Sequence, residues 1–165
     1  MMSYDSFCTE AKNVIDVFDT WVTHTRPEAI ADHICYKCGS REEFEQLRLL
    51  FETHSSYIHQ SPIAGRPIAY IKFLEPLNTS LGDIWFLELS DQKPNHSQVS
   101  GFDHIEIYPE QGSIETLVSD LESKGVQFKN VVRPHHTTFD TTLESGLKIR
   151  LEPEALIEKI IKEEL

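Results

Sequence analysis

The length, composition and charge of this chain exclude several classes of protein. Its 165 residues, 39% of them hydrophobic, suffice for one compact domain with its own core. Acidic residues number 27 against 15 basic ones, and a formal net charge of −12 repels phosphate backbones and anionic lipid surfaces. No stretch is apolar enough to cross a bilayer, and the first residues lack the pattern of a signal peptide. We expect a cytoplasmic monomer or homodimer that binds a small molecule, and neither nucleic acid nor membranes.

The N-terminal part of the chain has the pattern of a helix followed by a strand and a second helix. Apolar residues from Phe7 to Val22 recur at helical spacing, so residues 1–27 are predicted to form a helical extension. Residues 31–38 are short, apolar and β-leaning, and Ser40 then offers an N-cap for a helix. This order predicts a strand that enters a helix directly.

Three strand-like runs complete a first module over residues 28–90. They are separated by turn residues, among them Ala64-Gly65. The runs cover residues 57–63, 67–74 and 84–89. The module is therefore predicted to have the order β-α-β-β-β.

The second half of the chain repeats this order after a polar connector. Residues 91–101 contain Pro94 and Gly101 and have no apolar period, which is typical of a connector. Residues 102–152 then carry a strand, a helix with an apolar stripe that stops at Gly125, and three further strands. A C-terminal helix over residues 153–165 is predicted to begin at Pro153. We treat residues 1–165 as a single domain.

An internal repeat places the same polar residue types on corresponding strands of the two halves. The segment around His33 aligns with that around His104, on the first strand of each module. The segment around Glu88 aligns with that around Glu152, on the last strand. The predicted fold class is α+β, with two paired βαβββ modules that form a curved mixed sheet around a central cleft.

The repeat predicts a metal site in that cleft. His33, Glu88, His104 and Glu152 would face one space, and two imidazoles with two carboxylates suit one divalent ion such as Fe, Mn, Ni, Co or Zn. The lack of thiolates among them argues against a closed structural zinc site. The alternative is a cleft without metal, in which the carboxylates pair with the histidines or with Arg150.

The order of these motifs resembles the vicinal oxygen chelate superfamily, which includes glyoxalase I, extradiol dioxygenases and methylmalonyl-CoA epimerase. Within it, the segments ADHI, AGRPIAYIKFLEP, FLEL and GFDHIEIYP are similar to the small YecM group. The resemblance implies metal ligands at His33, Glu88, His104 and Glu152, and chelation of two neighbouring substrate oxygens. It implies a lyase, isomerase or dioxygenase in which Glu88 or Glu152 could serve as the base.

Strand alternation nominates further side chains for the cleft. Arg150, Lys72, Glu106 and Phe86 are the candidate ligand-binding residues, and the histidine pair His135-His136 could form a lid. The alternative function is a module of the same fold that binds or sequesters a metal or small ligand without turnover.

The spacing Cys35-x-x-Cys38 offers a competing chemistry, a redox pair or half of a zinc site. Two residues three positions apart in an extended strand point to opposite faces, and no second cysteine pair exists to complete a zinc shell. We therefore expect packed thiols without a redox role.

Overall fold

The computed structural model describes residues 2–63, 65–134 and 136–164. Within them the chain forms four helices and eight strands. The helices are α1 (Tyr4–Thr25), α2 (Arg41–Glu52), α3 (Ile114–Ser123) and α4 (Ile157–Glu164). The strands are β1 (Ala29–Lys37), β2 (Ser55–Ile63), β3 (Arg66–Thr79), β4 (Gly82–Ser90), β5 (Gly101–Pro109), β6 (Lys129–Val132), β7 (Thr137–Thr142) and β8 (Lys148–Leu151).

The strands form one sheet whose two halves mirror each other. The strand order is β2-β3-β4-β1-β5-β8-β7-β6, so the first strands of the two modules are neighbours at the centre. In each half the first strand pairs in parallel with the last, β1 with β4 and β5 with β8, while β1 and β5 pair antiparallel. The predicted α+β fold of two paired βαβββ modules is confirmed.

The helix boundaries follow local capping. Ser40 and Ser113 cap α2 and α3, each side chain accepting a hydrogen bond from the backbone N–H three residues on. The last helix begins at Ile157 rather than at the predicted Pro153. Asp32 Oδ2 accepts hydrogen bonds from the backbone N–H groups of Leu156 and Ile157, at 3.0 and 3.2 Å, which fixes the first turn there.

The two faces of the sheet have different coverings. Helices α1, α2 and α3 cover one face with a continuous apolar core that includes Phe7, Phe18 and Phe44. The opposite face carries His33, Glu88, His104 and Glu106, and is called the cleft face below. Helix α4 packs on the first-module part of that face. None of the described helices is long and apolar enough to span a bilayer.

Candidate metal centre

Two β-bulges place the site histidines on the cleft face. Between β1 and β5, Ala31 faces Ile107 and His33 faces Glu106, so Asp32 is an extra residue in β1. Farther along the same pair of strands Asp103 is the extra residue in β5. A bulge shifts the alternation of side chains by one position. The imidazoles of both modules therefore meet across the centre of the sheet, with ring centroids 6.3 Å apart.

Each histidine is oriented by the aspartate that precedes it. Asp32 Oδ2 lies 3.1 Å from His33 Nδ1, and Asp103 Oδ2 lies 2.7 Å from His104 Nδ1. An aspartate at this nitrogen accepts its proton and leaves Nε2 free to bind a cation, which is the arrangement of metal-bound histidines. The repeated letters DHI thus encode a histidine together with its orienting group.

Two carboxylates complete a compact group around the Nε2 atoms. The candidate ligand atoms of His33, Glu88, His104 and Glu106 all lie within 4.8 Å of one another. Glu106 bridges the two rings, since its Oε2 lies 3.3 Å from His33 Nε2 and its Oε1 lies 3.2 Å from His104 Nε2. Glu88 Oε2 lies 3.4 and 4.0 Å from the same two nitrogen atoms. The N2O2 donor set is one that divalent Fe, Mn, Ni, Co or Zn accepts.

The electrostatics of the group favour a bound cation. Burial alone would raise the pKa of Glu106, but the charges of His33 and His104 outweigh burial and hold that pKa well below its usual range. Burial likewise opposes protonation of His33, yet the Glu106 charge and the hydrogen bond to Asp32 raise the pKa of His33 well above its usual value. Glu106 and Glu88 therefore stay ionised beside a protonated His33, and a divalent ion at His33 Nε2 would take the place of that proton. The residues present fit a divalent ion.

The strand register aligns the two modules differently from the sequence repeat. Across β1 and β4, Cys35 faces Glu88, whereas across β5 and β8, Glu106 faces Arg150. With His33 and His104 as equivalent residues, Arg150 and not Glu152 is therefore the counterpart of Glu88, and Glu106 is the counterpart of Cys35. The loops of the second module are two residues shorter than the sequence repeat implies. Glu152 therefore lies two positions beyond Arg150, which is the true counterpart of Glu88.

Arg150 is held rigidly at the edge of the group. Its Nε and Nη2 donate to the two carboxylate oxygens of Asp140 at 2.9 and 3.1 Å. The remaining Nη1 points inward, 3.2 Å from His104 Nε2 and 3.7 Å from Glu106 Oε1. This N–H edge is within hydrogen-bond distance of a candidate ligand atom, and an ion bound at His104 Nε2 would release it towards a ligand of the ion.

A small cavity adjoins the group. Its volume is about 170 Å³. His33, Glu88, Glu106 and Arg150 form its floor, and Arg133, His136 and Glu152 add a polar side. Its apolar side consists of Ile68, Tyr70, Leu156, Ile157 and Ile160. An entering molecule thus meets the candidate metal ligands, two arginines and one apolar wall.

Glu152 lines this cavity outside the four-residue group. Its Oε2 lies 2.7 Å from His136 Nε2, and its side chain is 2% exposed. Burial, and next the negative charge of Glu106, raise the pKa of Glu152 to about 8. The carboxyl group therefore holds its proton near neutral pH. Of the histidine pair in the sequence, His136 lines the cavity, and His135 lies outside the described residues, as do Ala64 and Leu165.

The other predicted ligand-binding residues are distributed unevenly. Arg150 and Glu106 line the cavity. Lys72 and Phe86 are not among the described residues that line the cavity. Phe86 packs with Ile68 and Tyr70 beneath α4, and Lys72 Nζ lies over the Trp85 and Phe86 rings at 5.4 and 5.8 Å from their centroids. Their role in ligand binding stays a prediction.

The cysteines of the Cys-x-x-Cys stretch are both free and buried. Cys35 lies on the cleft face beside Glu88, where burial raises the pKa of its thiol well above the usual value. Cys38 packs in the apolar core under the helices, and burial raises the pKa of its thiol too. Thiols that resist ionisation are poor nucleophiles and poor metal ligands.

Sequence reasoning missed the two orienting aspartates, Arg133 and the apolar wall from α4. The aspartates had a signal, because each recurs directly before a site histidine. Glu106 was assigned to the wall of the cleft and lies in the four-residue group instead. The signal for Glu106 was its alternation with His104 in β5, since residues two apart share a face.

The chain is similar to known proteins in sequence and fold. A family model described as YecM protein matches residues 1–156. A solved structure from structural genomics, Protein EC4020, is 23% identical with a TM-score of 0.72, covering 100% of this chain and 99% of that chain. A methylmalonyl-CoA epimerase variant from Streptomyces coelicolor, in complex with 2-nitronate-propionyl-CoA, is 19% identical with a TM-score of 0.45, covering 74% and 94%. Among curated proteins, none is significantly similar to this chain. The family model spans nearly all of the sequence, and the chain belongs to the YecM protein family.

Proposed function

We propose that this protein binds one divalent metal ion through His33, Glu88, His104 and Glu106, and that the ion and the adjoining cavity together bind a small oxygenated molecule. The observation that carries the proposal is the four-residue group itself. The ligand atoms of two aspartate-oriented imidazoles and two ionised carboxylates lie within 4.8 Å of one another on the cleft face, beside the cavity. The resemblance to the vicinal oxygen chelate superfamily points in the same direction.

The chemistry of the cavity favours a small ligand with a negatively charged oxygen. A divalent ion, when bound, would supply Lewis-acid stabilisation of negative charge on a ligand oxygen. Arg150 Nη1 faces the same position from the second module, and Arg133 offers a guanidinium that makes no ion pair with any described carboxylate. The volume of about 170 Å³ limits the ligand to a small molecule.

Glu152 is the better candidate for the proton-moving group. Glu88 belongs to the proposed metal ligands, and the hydrogen bond from His33 lowers its pKa despite the opposing effect of burial. Glu152 instead faces the cavity with His136 at 2.7 Å and a pKa of about 8. A carboxyl group with this pKa can give or take a proton at Oε2 near neutral pH. We assign Glu152 to acid-base chemistry and leave the metal to the other four residues.

The reaction class we propose is that of a metal-dependent lyase, isomerase or dioxygenase. The cavity beside the group supports ligand chemistry over simple sequestration, because a sequestering site has no need of two arginines and a titratable pair beside the ion. Sequestration without turnover is the competing function, and binding of an oxygenated probe separates the two.

Metal analysis tests the proposal directly. The purified protein is reconstituted with Fe, Mn, Ni, Co or Zn, dialysed and assayed by elemental analysis. We expect about one equivalent in the wild type and none in the His33→Ala or Glu88→Gln variants, because each change removes one ligand from a single site. His24→Ala, which alters an exposed histidine of α1, is the matched control and should keep the metal. Equal metal content in all four proteins would contradict the site.

Titration with oxalate then tests the ligand proposal. Oxalate presents two neighbouring carboxylate oxygens and is small enough for the cavity. We expect calorimetric binding to the metal-loaded protein but not to the metal-free protein. A loaded protein that neither binds oxalate nor releases its metal to it would favour sequestration.

A further inference from the structure

One carboxylate oxygen connects the candidate metal centre to a helix that covers it. Asp32 Oδ2 lies 3.1 Å from His33 Nδ1. The same atom accepts hydrogen bonds from the backbone N–H groups of Leu156 at 3.0 Å and Ile157 at 3.2 Å. Asp32 is therefore both the orienting group of a candidate metal ligand and the acceptor for the first turn of α4. A negative charge at this end also interacts favourably with the helix dipole.

Helix α4 forms part of the apolar wall of the cavity, beside Ile68 and Tyr70 of β3. Ile157 is 1% exposed and Ile161 is 8% exposed, and both pack against Ile68, Tyr70 and Phe86 on the cleft face. Leu156, Ile157 and Ile160 line the cavity directly. An undocked α4 would therefore open the cavity on one side and expose its floor to water.

Among the described residues, the second module has no such connection. Asp103 Oδ2 orients His104 at 2.7 Å, but the other neighbours of this carboxylate are lysine ammonium groups, Lys37 at 3.2 Å and Lys148 at 3.4 Å. Asp32 and Asp103 thus do the same for their histidines, while only Asp32 holds a helix. The chain contains its own matched control.

We propose that Asp32 is a positioning residue that couples metal occupancy at His33 to the docking of α4 over the cavity. The inference rests on the proposed metal binding. An ion on Nε2 fixes the rotation of the His33 ring and thereby the position of Nδ1 and of the Asp32 oxygen. That oxygen is then held in position to accept the hydrogen bonds of the first turn of α4. Ordering of the His33 ring therefore reduces the conformational freedom of α4. By linkage, docking of α4 strengthens metal binding by the same factor.

Hydrogen exchange of α4 tests the coupling. Backbone amide exchange in the peptide 157–164 is measured for the wild type, Asp32→Asn and Asp103→Asn, each metal-free and at saturating nickel. Both variants should bind the metal about 10- to 100-fold more weakly, as outer partners of metal-bound histidines do. Nickel should slow exchange in α4 by about fivefold or more in the wild type and in Asp103→Asn, the lower end of coupling between linked sites. Asp32→Asn should lose this slowing.

A double-mutant cycle provides a second, independent measurement. Ile161→Ala loosens α4 without touching His33 or the cavity lining, and should weaken nickel binding by the coupling factor in the wild-type background. In the Asp32→Ala background the same change should leave the nickel affinity unaltered, because the connection is gone. Additive effects in the cycle, or equal exchange in the two aspartate variants, would overturn the coupling while leaving the metal site intact. A wild type that binds neither nickel nor iron, manganese, cobalt or zinc would overturn the proposed function as well.

Discussion

The two modules share a backbone plan but differ in what they bring to the cleft. The first contributes His33, Glu88 and the neutral Cys35, and its cleft face is covered by α4. The second contributes His104 and Glu106 and has Arg150 where the first has Glu88. Its orienting aspartate forms ion pairs with lysines. A pseudo-symmetric sheet thus supports an asymmetric site. The symmetry fixes where the ligand atoms converge, and the differences give one side of the ion an apolar wall and the other a cation.

The largest expected effect comes from removing the arginine that distinguishes the second module. Arg150→Met leaves the half-buried Asp140 carboxylate without its partner and removes a cation from beside the buried Glu106, so we expect the free energy of unfolding to fall by about 3–5 kcal/mol. Urea denaturation of the metal-free protein measures it. Lys148→Met, on the same strand but 38% exposed, should lose less than about 1 kcal/mol. Equal losses would mean that Arg150 contributes no more to the stability of the fold than a surface lysine does.

Removing the cover of the first module has the next largest effect. Ile157→Ala creates a cavity between α4 and the cleft face, and a buried Ile→Ala change costs about 3 kcal/mol. Urea denaturation followed by circular dichroism measures the loss. Leu49→Ala, 65% exposed on α2, is the control and should change stability by less than about 0.5 kcal/mol. A loss for Ile157→Ala as small as the control would indicate that α4 contributes little to the fold.

The next comparison decides which carboxylate the second module supplies to the ion. Glu106→Gln should weaken metal binding about 100-fold or more, equivalent to about 2.7 kcal/mol, because it removes a proposed ligand. Glu152→Gln should weaken binding by less than about tenfold, since Glu152 lies outside the four-residue group. Competition with a chromogenic chelator measures both affinities. The reverse order would restore the assignment of Glu152 that the family resemblance implies.

The smallest expected effect concerns the lysines around Asp103. Lys37→Met removes one partly exposed ion pair and should lower the free energy of unfolding by less than about 1 kcal/mol at low salt. At 1 M sodium chloride the difference should vanish, because salt screens such pairs. Asp32→Ala should show no such salt dependence, because the partners of Asp32 are the buried His33 ring and two backbone N–H groups at the start of α4, which salt screens much less. Salt-independent losses for Lys37→Met would contradict the contrast between the two aspartates.

Much of this architecture could be predicted from the sequence because periodicity and repetition report on it. Helical spacing located α1, α2 and α3, and the recurrence of DHI located the two central strands. The position of Glu106 was visible in principle from its two-residue distance to His104. The counterpart of Glu88 in the second module could not be predicted, because it depends on loop lengths that shift β8 by two residues. The role of Asp32 in holding α4 joins residues 124 and 125 positions apart, which no local pattern encodes.

The fork between Asp140 and Arg150 has a consequence for ligand affinity. A long side chain that is free in solution loses rotamer entropy when a ligand immobilises it, and that loss weakens binding. Arg150 is immobilised when the protein folds, because both of its outer nitrogen atoms are already bound to one carboxylate. An anionic group that reaches the inner nitrogen atom therefore meets a preorganised donor. The entropy cost of ordering Arg150 is therefore part of the free energy of folding and does not reduce the binding free energy of the ligand.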